Sequence, residues 1–375
     1  MKDAEEQLKE NQESTEAIKP FRTASIMVNS VCNLKCRHCD IPEKYKAGGR
    51  MLSADQWVEV IRRLDKMLDL ELVAVSAREP LMPGATRKKT LKIVQASKEL
   101  GKIGGIVTNG TYLKNALPEF SASGLVLDYL DVSLEGPKEI DDRIRGDGHF
   151  EKVMAAISDD RLLDVTEKFF ISLTLNAWNC SVDVMHKFID WMLGAFDEPR
   201  LAVLVLYPNV NVPTDLWLTD EQFLRSLEVL LSASDKFADI FIDVFPGSIP
   251  GLRDIIEKGY LPGSDELLRD RTGMLWGLIG ENLYVRYENV RDLMRFQVRV
   301  TPGGRLIMPR DLEKVDYGHY TRSAVLTDGF KNTLNQVLQE VDAFDRQVDP
   351  RCVGQRCLST CMGDNFRCSF LRREQ

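Results

Sequence analysis

The sequence contains no apolar run approaching the roughly 20 residues that a membrane-spanning helix requires. It has no cationic excess either: 49 Lys and Arg stand against 57 Asp and Glu, for a net charge of −8. That balance offers no general basic surface to a nucleic-acid backbone. No internal repeat recurs at a fixed period, and no low-complexity tract occurs beyond the N-terminal arm. The opening stretch, MKDAEEQLKENQESTEAIK, is polar and charged, the opposite of a secretory signal. Residues 1–22 therefore read as a flexible arm. Together these absences predict a cytoplasmic protein whose partners include neither membrane nor nucleic acid. In a reducing compartment its cysteines are poor disulfide candidates.

Eight cysteines are nevertheless present, and seven fall into two clusters. Cys32, Cys36 and Cys39 form C-x3-C-x2-C, while Cys352, Cys357, Cys361 and Cys368 form C-x4-C-x3-C-x6-C. Clustered thiols in that compartment point to metal. At 375 residues, with 44% apolar and 28% charged, the chain suffices for one large α/β domain and a smaller one. Apolar, β-rich runs at 23–30, 71–76, 103–109, 127–134, 169–176 and 201–209 alternate with helical patterns. Ser53 is placed to cap a helix over 53–69, and Gly101 to end one over 87–101. The apolar runs suit parallel strands covered on both faces. Six strand-then-helix units imply a parallel barrel or an open wound sheet over 23–230, with chemistry at the C-terminal ends of the strands. After residue 230 the pattern changes. RFQVRVTPGGRLIMPRD reads as a hairpin turning at Gly303–Gly304, followed by a helix near 329–343 and the second cysteine cluster. Residues 231–375 are accordingly expected to form a smaller domain with a metal-bound tail.

The first trio follows the first strand directly. Three thiols could belong to a zinc knuckle with its fourth ligand elsewhere, although zinc sites more often use C-x2-C pairs. On a [4Fe–4S] cluster, three thiolates leave one iron without a protein ligand, the open position that catalysis needs. The four tail cysteines could complete a cubane alone, or a closed all-cysteine zinc site.

With those residues on view, the chain resembles the radical S-adenosylmethionine (radical SAM) superfamily, over most of 23–230. Its strand-four segment DVSLEGPKEIDDRIRGDGHFEKVMAAI resembles the subfamily that carries a SPASM/twitch-like auxiliary-cluster domain. VSAREPL stands where that family has Gly-Gly-Glu-Pro, with Ala77 and Arg78 in place of the glycines, and TNGT follows strand three. The resemblance implies a partial (β/α)6 TIM-type barrel and a SPASM/twitch-like C-terminal domain. It implies that Cys32, Cys36 and Cys39 hold a SAM-binding [4Fe–4S] cluster, and that Cys352, Cys357, Cys361 and Cys368 hold one auxiliary [4Fe–4S] cluster. Pro309 stands where the SPASM hairpin normally ends in a cysteine, so a second auxiliary cluster is not expected. The cofactor, S-adenosyl-L-methionine, would meet Glu79 at its ammonium, Ser133 and Arg145 at its ribose and carboxylate, and His38 beside its adenine. Asn109 and Glu135 would lie near it. A flavodoxin- or ferredoxin-type protein would deliver the electron that releases a 5′-deoxyadenosyl radical.

Cys180, the remaining cysteine, follows strand five near the expected catalytic mouth. It reads either as a buried small hydrophobe or as a hydrogen-atom donor to a substrate radical. The leading expectation is an oxidoreductase or epimerase acting on a small polar metabolite such as a sugar or cyclitol. The alternative is a maturase that crosslinks or epimerises a ribosomally made precursor peptide. Against the latter, the short segment before the first strand leaves no room for a peptide-recognition domain. A non-catalytic iron–sulfur or zinc scaffold is the distant third reading.

Overall fold

The computed structural model describes residues 19–39, 41, 51–208, 211–245, 247–263, 266–288, 290–307 and 324–345. The tail cysteines Cys352, Cys357, Cys361 and Cys368, together with Pro309 and residues 1–18 of the arm, lie outside the described residues.

Seven strands follow one another in space as they do in sequence. They are β1 (Thr23–Ile26), β2 (Leu72–Val75), β3 (Ile103–Thr108), β4 (Tyr129–Ser133), β5 (Phe169–Leu175), β6 (Arg200–Val205) and β7 (Asp239–Val244), each parallel to the next. The crossovers carry α1 (Ala54–Met67), α2 (Ala85–Glu99), α3 (Leu113–Ser123), α4 (Lys138–Arg145), α5 (His149–Ile157), α6 (Val182–Ala195) and α7 (Asp220–Ala233). Past α8 (Leu252–Glu257), β8 (Leu268–Arg269) and β9 (Leu275–Leu278), strand β10 (Leu283–Tyr287) adds in parallel outside β7. After α9 (Val290–Phe296), β11 (Gln297–Val300) adds in parallel outside β1, and β12 (Leu306–Ile307) closes the expected hairpin. The chain then enters α10 (Phe330–Asp345). Strands from both sides of residue 230 thus share one sheet, in the order β12-β11-β1-β2-β3-β4-β5-β6-β7-β10-β9-β8. The fold is an open α/β partial barrel.

Local chemistry accounts for the helix ends. Ser53 accepts from Gln56 N while the Gln56 side chain accepts from Ser53 N, a complete capping box that satisfies two of the orphan amides of α1. Trp57, Val60, Ile61 and Leu64, spaced as one helical stripe, are all fully buried against the sheet side of the molecule. At the end of α2, Gly101 takes a φ of +70°, and the amides of Gly101 and Lys102 return to the carbonyls of Lys98 and Ser97.

The strands differ from the expectation of two equally apolar faces. In β4 and β7, fully buried residues alternate strictly with half-buried ones. The helices cover one face, and the other lines the inside of the curled sheet. In-register partners share a face, so Ser25, Ala74, Gly105 and Tyr129 lie on the inner side. So do Ser133, Ser172, Ala202, Phe241 and Tyr284. The curl is visible in the charges: Glu288, just past β10, is influenced by Arg299 on β11, although seven strands separate these flanks. Among the described residues no helix is long and apolar enough to cross a membrane.

Candidate active site

The loops leaving β1 to β5 at their C-terminal ends meet at one mouth. The loop after β1 carries the three cysteines and has no helix of its own among the described residues, so side chains hold it. Asn29 accepts from Val31 N at 3.0 Å and donates to the Glu79 carbonyl at 2.7 Å, binding this loop to the one after β2. Asn33 donates to Thr111 at 2.9 Å and accepts from Asn109 at 3.0 Å. Arg37 N donates to the Ile144 carbonyl at 2.9 Å, and its guanidinium lies 4.6 Å from the ring centre of Trp178. Arg143 meets the same ring at 3.6 Å, which joins the loop to α4 and to the segment after β5.

Side-chain donors approach Cys32 and Cys36. Asn109 Nδ2 donates to Cys32 Sγ at 3.6 Å, and Arg145 Nη1 to Cys36 Sγ at 3.9 Å. Burial pushes the Cys36 thiol up to about 12; Arg145 pulls against this, while Glu135, Cys39 and Cys32 add to it. The three sulfurs are therefore electrostatic neighbours. Among the described residues, though, no three His, Cys, Asp or Glu side chains converge closely enough to hold a single metal ion. A cubane spreads three thiolates over three irons, a wider arrangement than one tetrahedral ion allows. Metal coordination, not solvent, would remove the proton from so unwilling a thiol.

Glu79 is wholly buried. Its Oε1 accepts from Leu81 N at 2.7 Å and Thr108 Oγ1 at 2.8 Å, and its Oε2 accepts from Asn109 N at 2.8 Å. Burial still raises its carboxyl above the usual range, against the pull of those three donors. Lone pairs remain on Oε2 for a further donor. The loop that presents it turns through Ala77 and Arg78, at φ +67° and +54°. The left-handed shape that two glycines would adopt freely is thus kept by two residues that adopt it at a cost. Arg87 fixes the far end of the loop through the Leu81 carbonyl, with Nε and Nη2 both at 3.2 Å.

Across the mouth, Arg145 grips Glu135 Oε1 through Nε at 2.9 Å and Nη2 at 2.5 Å, and Glu135 Oε2 accepts from Thr174 N at 2.9 Å. Burial opposes the Arg145 charge, but Glu135, Cys36 and Asp141 outweigh it and hold the guanidinium above its ordinary value. His38 Nε2 lies 3.8 Å from Glu135. Burial nonetheless pulls its pKa down to about 4, so the imidazole is neutral near pH 7. His38 Nδ1 is buried without a hydrogen-bond partner among the described residues. Ser133, on the inner face at the end of β4, is half-buried.

Cys180 lies in the segment after β5. It is 4% exposed, packs with the apolar core, and its thiol donates to the Ala177 carbonyl at 3.5 Å. Burial raises its pKa.

Sequence reasoning singled out no role for His149 and Asp141. His149 Nδ1 lies 2.5 Å from Asp141 Oδ2 and Nε2 lies 2.7 Å from the Asn109 carbonyl, while Asp141 Oδ1 accepts from Glu135 N at 2.8 Å. Both are fully buried. Both ring nitrogens face oxygen atoms of other loops or helices. This pair locks the Asn109 loop to the Glu135 loop. The glycines around His149 in GDGHF were the one available signal.

Three observations fit an iron–sulfur cluster and S-adenosylmethionine here: donors aimed at cysteine sulfur, the orphaned His38 nitrogen, and the buried acidic and basic groups flanking the mouth.

Residues 26–170 match the Radical SAM superfamily family model. A PqqA peptide cyclase of Rhodopseudomonas palustris is 29% identical over 163 residues, which is 42% of this chain and 37% of the cyclase. The chain thus spans well under half the length of the curated relatives it matches. Among solved structures, Streptococcus suis SuiB bound to S-adenosylmethionine has a TM-score of 0.64 at 15% identity, covering 96% of this chain and 76% of SuiB. The structure of anSMEcpe with bound AdoMet and Cp18Cys peptide has a TM-score of 0.57 at 16% identity, covering 92% and 88%. At such identities the likeness concerns the fold.

Proposed function

From a chain that carries a radical SAM superfamily domain over residues 26–170, we propose a radical SAM enzyme that modifies a peptide. The observation that carries the enzyme reading is the convergence of the three-cysteine loop, Glu79, Asn109 and the Glu135–Arg145 pair at the C-terminal ends of β1 to β5. The choice of a peptide rests on the relatives: a peptide cyclase by sequence, and a peptide-bound enzyme by fold. These favour the maturase over the small-metabolite reading expected from the sequence.

Cys32, Cys36 and Cys39 hold the cluster in this reading, with Asn109 and Arg145 donating to two of its sulfurs. Glu79 Oε2 would accept from the methionine ammonium, Ser133 and Arg145 would face the ribose and carboxylate, and neutral His38 would lie beside the adenine. Bound together, cluster and S-adenosylmethionine would supply one-electron radical chemistry. The chain's own work is to orient and to exclude water. Arg145, already engaged with Glu135, is pre-organised toward Cys36 and cannot swing away cheaply. Cys352, Cys357, Cys361 and Cys368 would hold an auxiliary cluster suited to passing electrons, and a flavodoxin- or ferredoxin-type protein would supply them.

Anaerobic reconstitution with iron, sulfide, a reductant and S-adenosylmethionine tests this. Iron near eight per chain and formation of 5′-deoxyadenosine are expected. Cys36→Ala should lose about four irons and all 5′-deoxyadenosine. A reconstituted protein that forms none sinks the enzyme reading. A 5′-deoxyadenosine yield raised by sugars or cyclitols, and not by peptides encoded beside the gene, sinks the peptide reading.

A further inference from the structure

Deeper on the inner face, below the cysteine loop, lies a ring of charge that the mouth does not use. Asp131 is on β4, Asp243 on β7, Arg286 on β10, Glu288 just past it and Arg299 on β11. Register places them on the same side as Ser133: Asp131 pairs with Phe170, Leu204 with Asp243, Asp243 with Arg286, and Ser25 with Arg299. Asp131 is two residues before Ser133, about 6.6 Å deeper along the strand.

The ring is not balanced. One guanidinium, Arg286, donates to Asp243 Oδ2 and lies 2.9 Å from Glu288 Oε1, so it serves two carboxylates. Arg299 acts on Glu288. Asp131 has no ion pair among the described residues, and the Ser172 hydroxyl is the hydrogen-bond partner it finds. Asp243 Oδ1 and Gln297 Oε1 are buried acceptors, and Arg286 Nε and Arg299 Nε buried donors, with no partner among the described residues. Buried polar atoms left open cost stability unless something arrives to satisfy them. The surroundings are equally specific. Phe241 packs with Phe170 at 5.8 Å, Tyr284 at 5.4 Å and Trp276 at 5.0 Å, forming an aromatic floor beneath the ring. Tyr129 extends that floor over Gly105, where any Cβ would collide with its ring at 2.1 Å. Leu204, paired with Asp243, keeps 38% of its surface exposed and offers an apolar wall inside the curl.

We propose that this inner face receives a positively charged side chain of the substrate, an ammonium or guanidinium on an aliphatic stem, held between Asp131 and Asp243. A lysine- or arginine-type side chain fits each element: its stem lies along Leu204, its charged head meets the spare carboxyls, and the aromatic floor faces the cation. The assignment deepens the peptide reading and rests on it for what carries the side chain.

Binding of three probes to the full-length, anaerobically reconstituted protein tests it, by titration followed with saturation-transfer NMR. The probes are the N-acetyl methylamides of lysine, norleucine and glutamate. The lysine probe should bind at least tenfold more tightly than the norleucine probe. Asp131→Asn and Asp243→Asn should each remove at least tenfold of the lysine affinity and leave norleucine unchanged. Equal binding of lysine and norleucine overturns the assignment, as does tighter binding of glutamate, which would make Arg299 the receiving group. Because Asp243→Asn also disturbs Arg286, the lysine–norleucine comparison on the unaltered protein decides if that variant fails to fold. Peptide turnover without lysine preference overturns this site and leaves the peptide reading standing. Lysine preference without peptide turnover does the reverse.

Discussion

Ala77 and Arg78 take the left-handed backbone that two glycines would take without strain. An L-residue pays roughly 1–2 kcal/mol for that conformation, whereas glycine costs about 0.5–1 kcal/mol in chain entropy. Ala77→Gly should therefore stabilise the protein by about 0.5–1 kcal/mol, read as a higher urea midpoint at unchanged slope. The loop's shape is dictated by what it must do with Glu79: its carboxylate meets Leu81 N, Thr108 and Asn109 N only if the chain turns there. Gly110 shows the opposite case, with a φ of +76° and Val132 and Val153 lying 2.8 and 3.0 Å from where a Cβ would be. There the glycine is required twice over, by backbone and by space.

Among elements, the short pair α4 and α5 does more for the site than its length suggests. Arg145 closes α4 and His149 opens α5, so one turn of chain delivers both the guanidinium near Cys36 and the imidazole under Asn109. His149→Ala would strand the Asp141 carboxylate and the Asn109 carbonyl in a buried setting. A loss of about 2–4 kcal/mol of stability is expected, measured by thermal or urea unfolding. S-adenosylmethionine binding to the reconstituted variant should weaken about tenfold, as for other outer partners of a metal site. A role confined to core packing would lower stability without moving that affinity.

For the whole molecule, the curl of the sheet sets the pH response. It brings Asp131 on β4 toward Asp243 on β7, and burial, then Asp243, pushes the Asp131 carboxyl up to about 7, against Arg286 and Ser172. An unfolded aspartate titrates near 3.9. Between those values the folded chain keeps a proton that the unfolded chain has released. The stability this contributes is full below about pH 4 and is lost as pH rises through about 7. Because the inner face retains some solvent, the loss is about 2 kcal/mol. Wild type should lose that much more than Asp131→Asn between pH 4.5 and 7.5, by urea unfolding at each pH. Parallel pH dependence in the two proteins would remove Asp131 as the cause.

Local rules determined much of this protein directly from its sequence. Ser53 caps its helix, Gly101 ends the next, and the strand runs pair in chain order, because caps, turns and short-range periodicity depend on residues a few positions apart. The three-cysteine motif was visible for the same reason: its thiols lie within eight residues. What only the tertiary structure decided depends on distance in space. The apolar-looking runs hide an alternation that matters only once the sheet curls around a polar interior. The His149–Asp141 pair joins the Asn109 loop to the Glu135 loop, and β10 and β11 reach opposite flanks of the barrel from late in the chain. Folding sets Asp131 beside Asp243, with no ion-pair partner of its own among the described residues. A pairwise Coulomb energy depends on separation and surrounding medium, and sequence spacing carries neither.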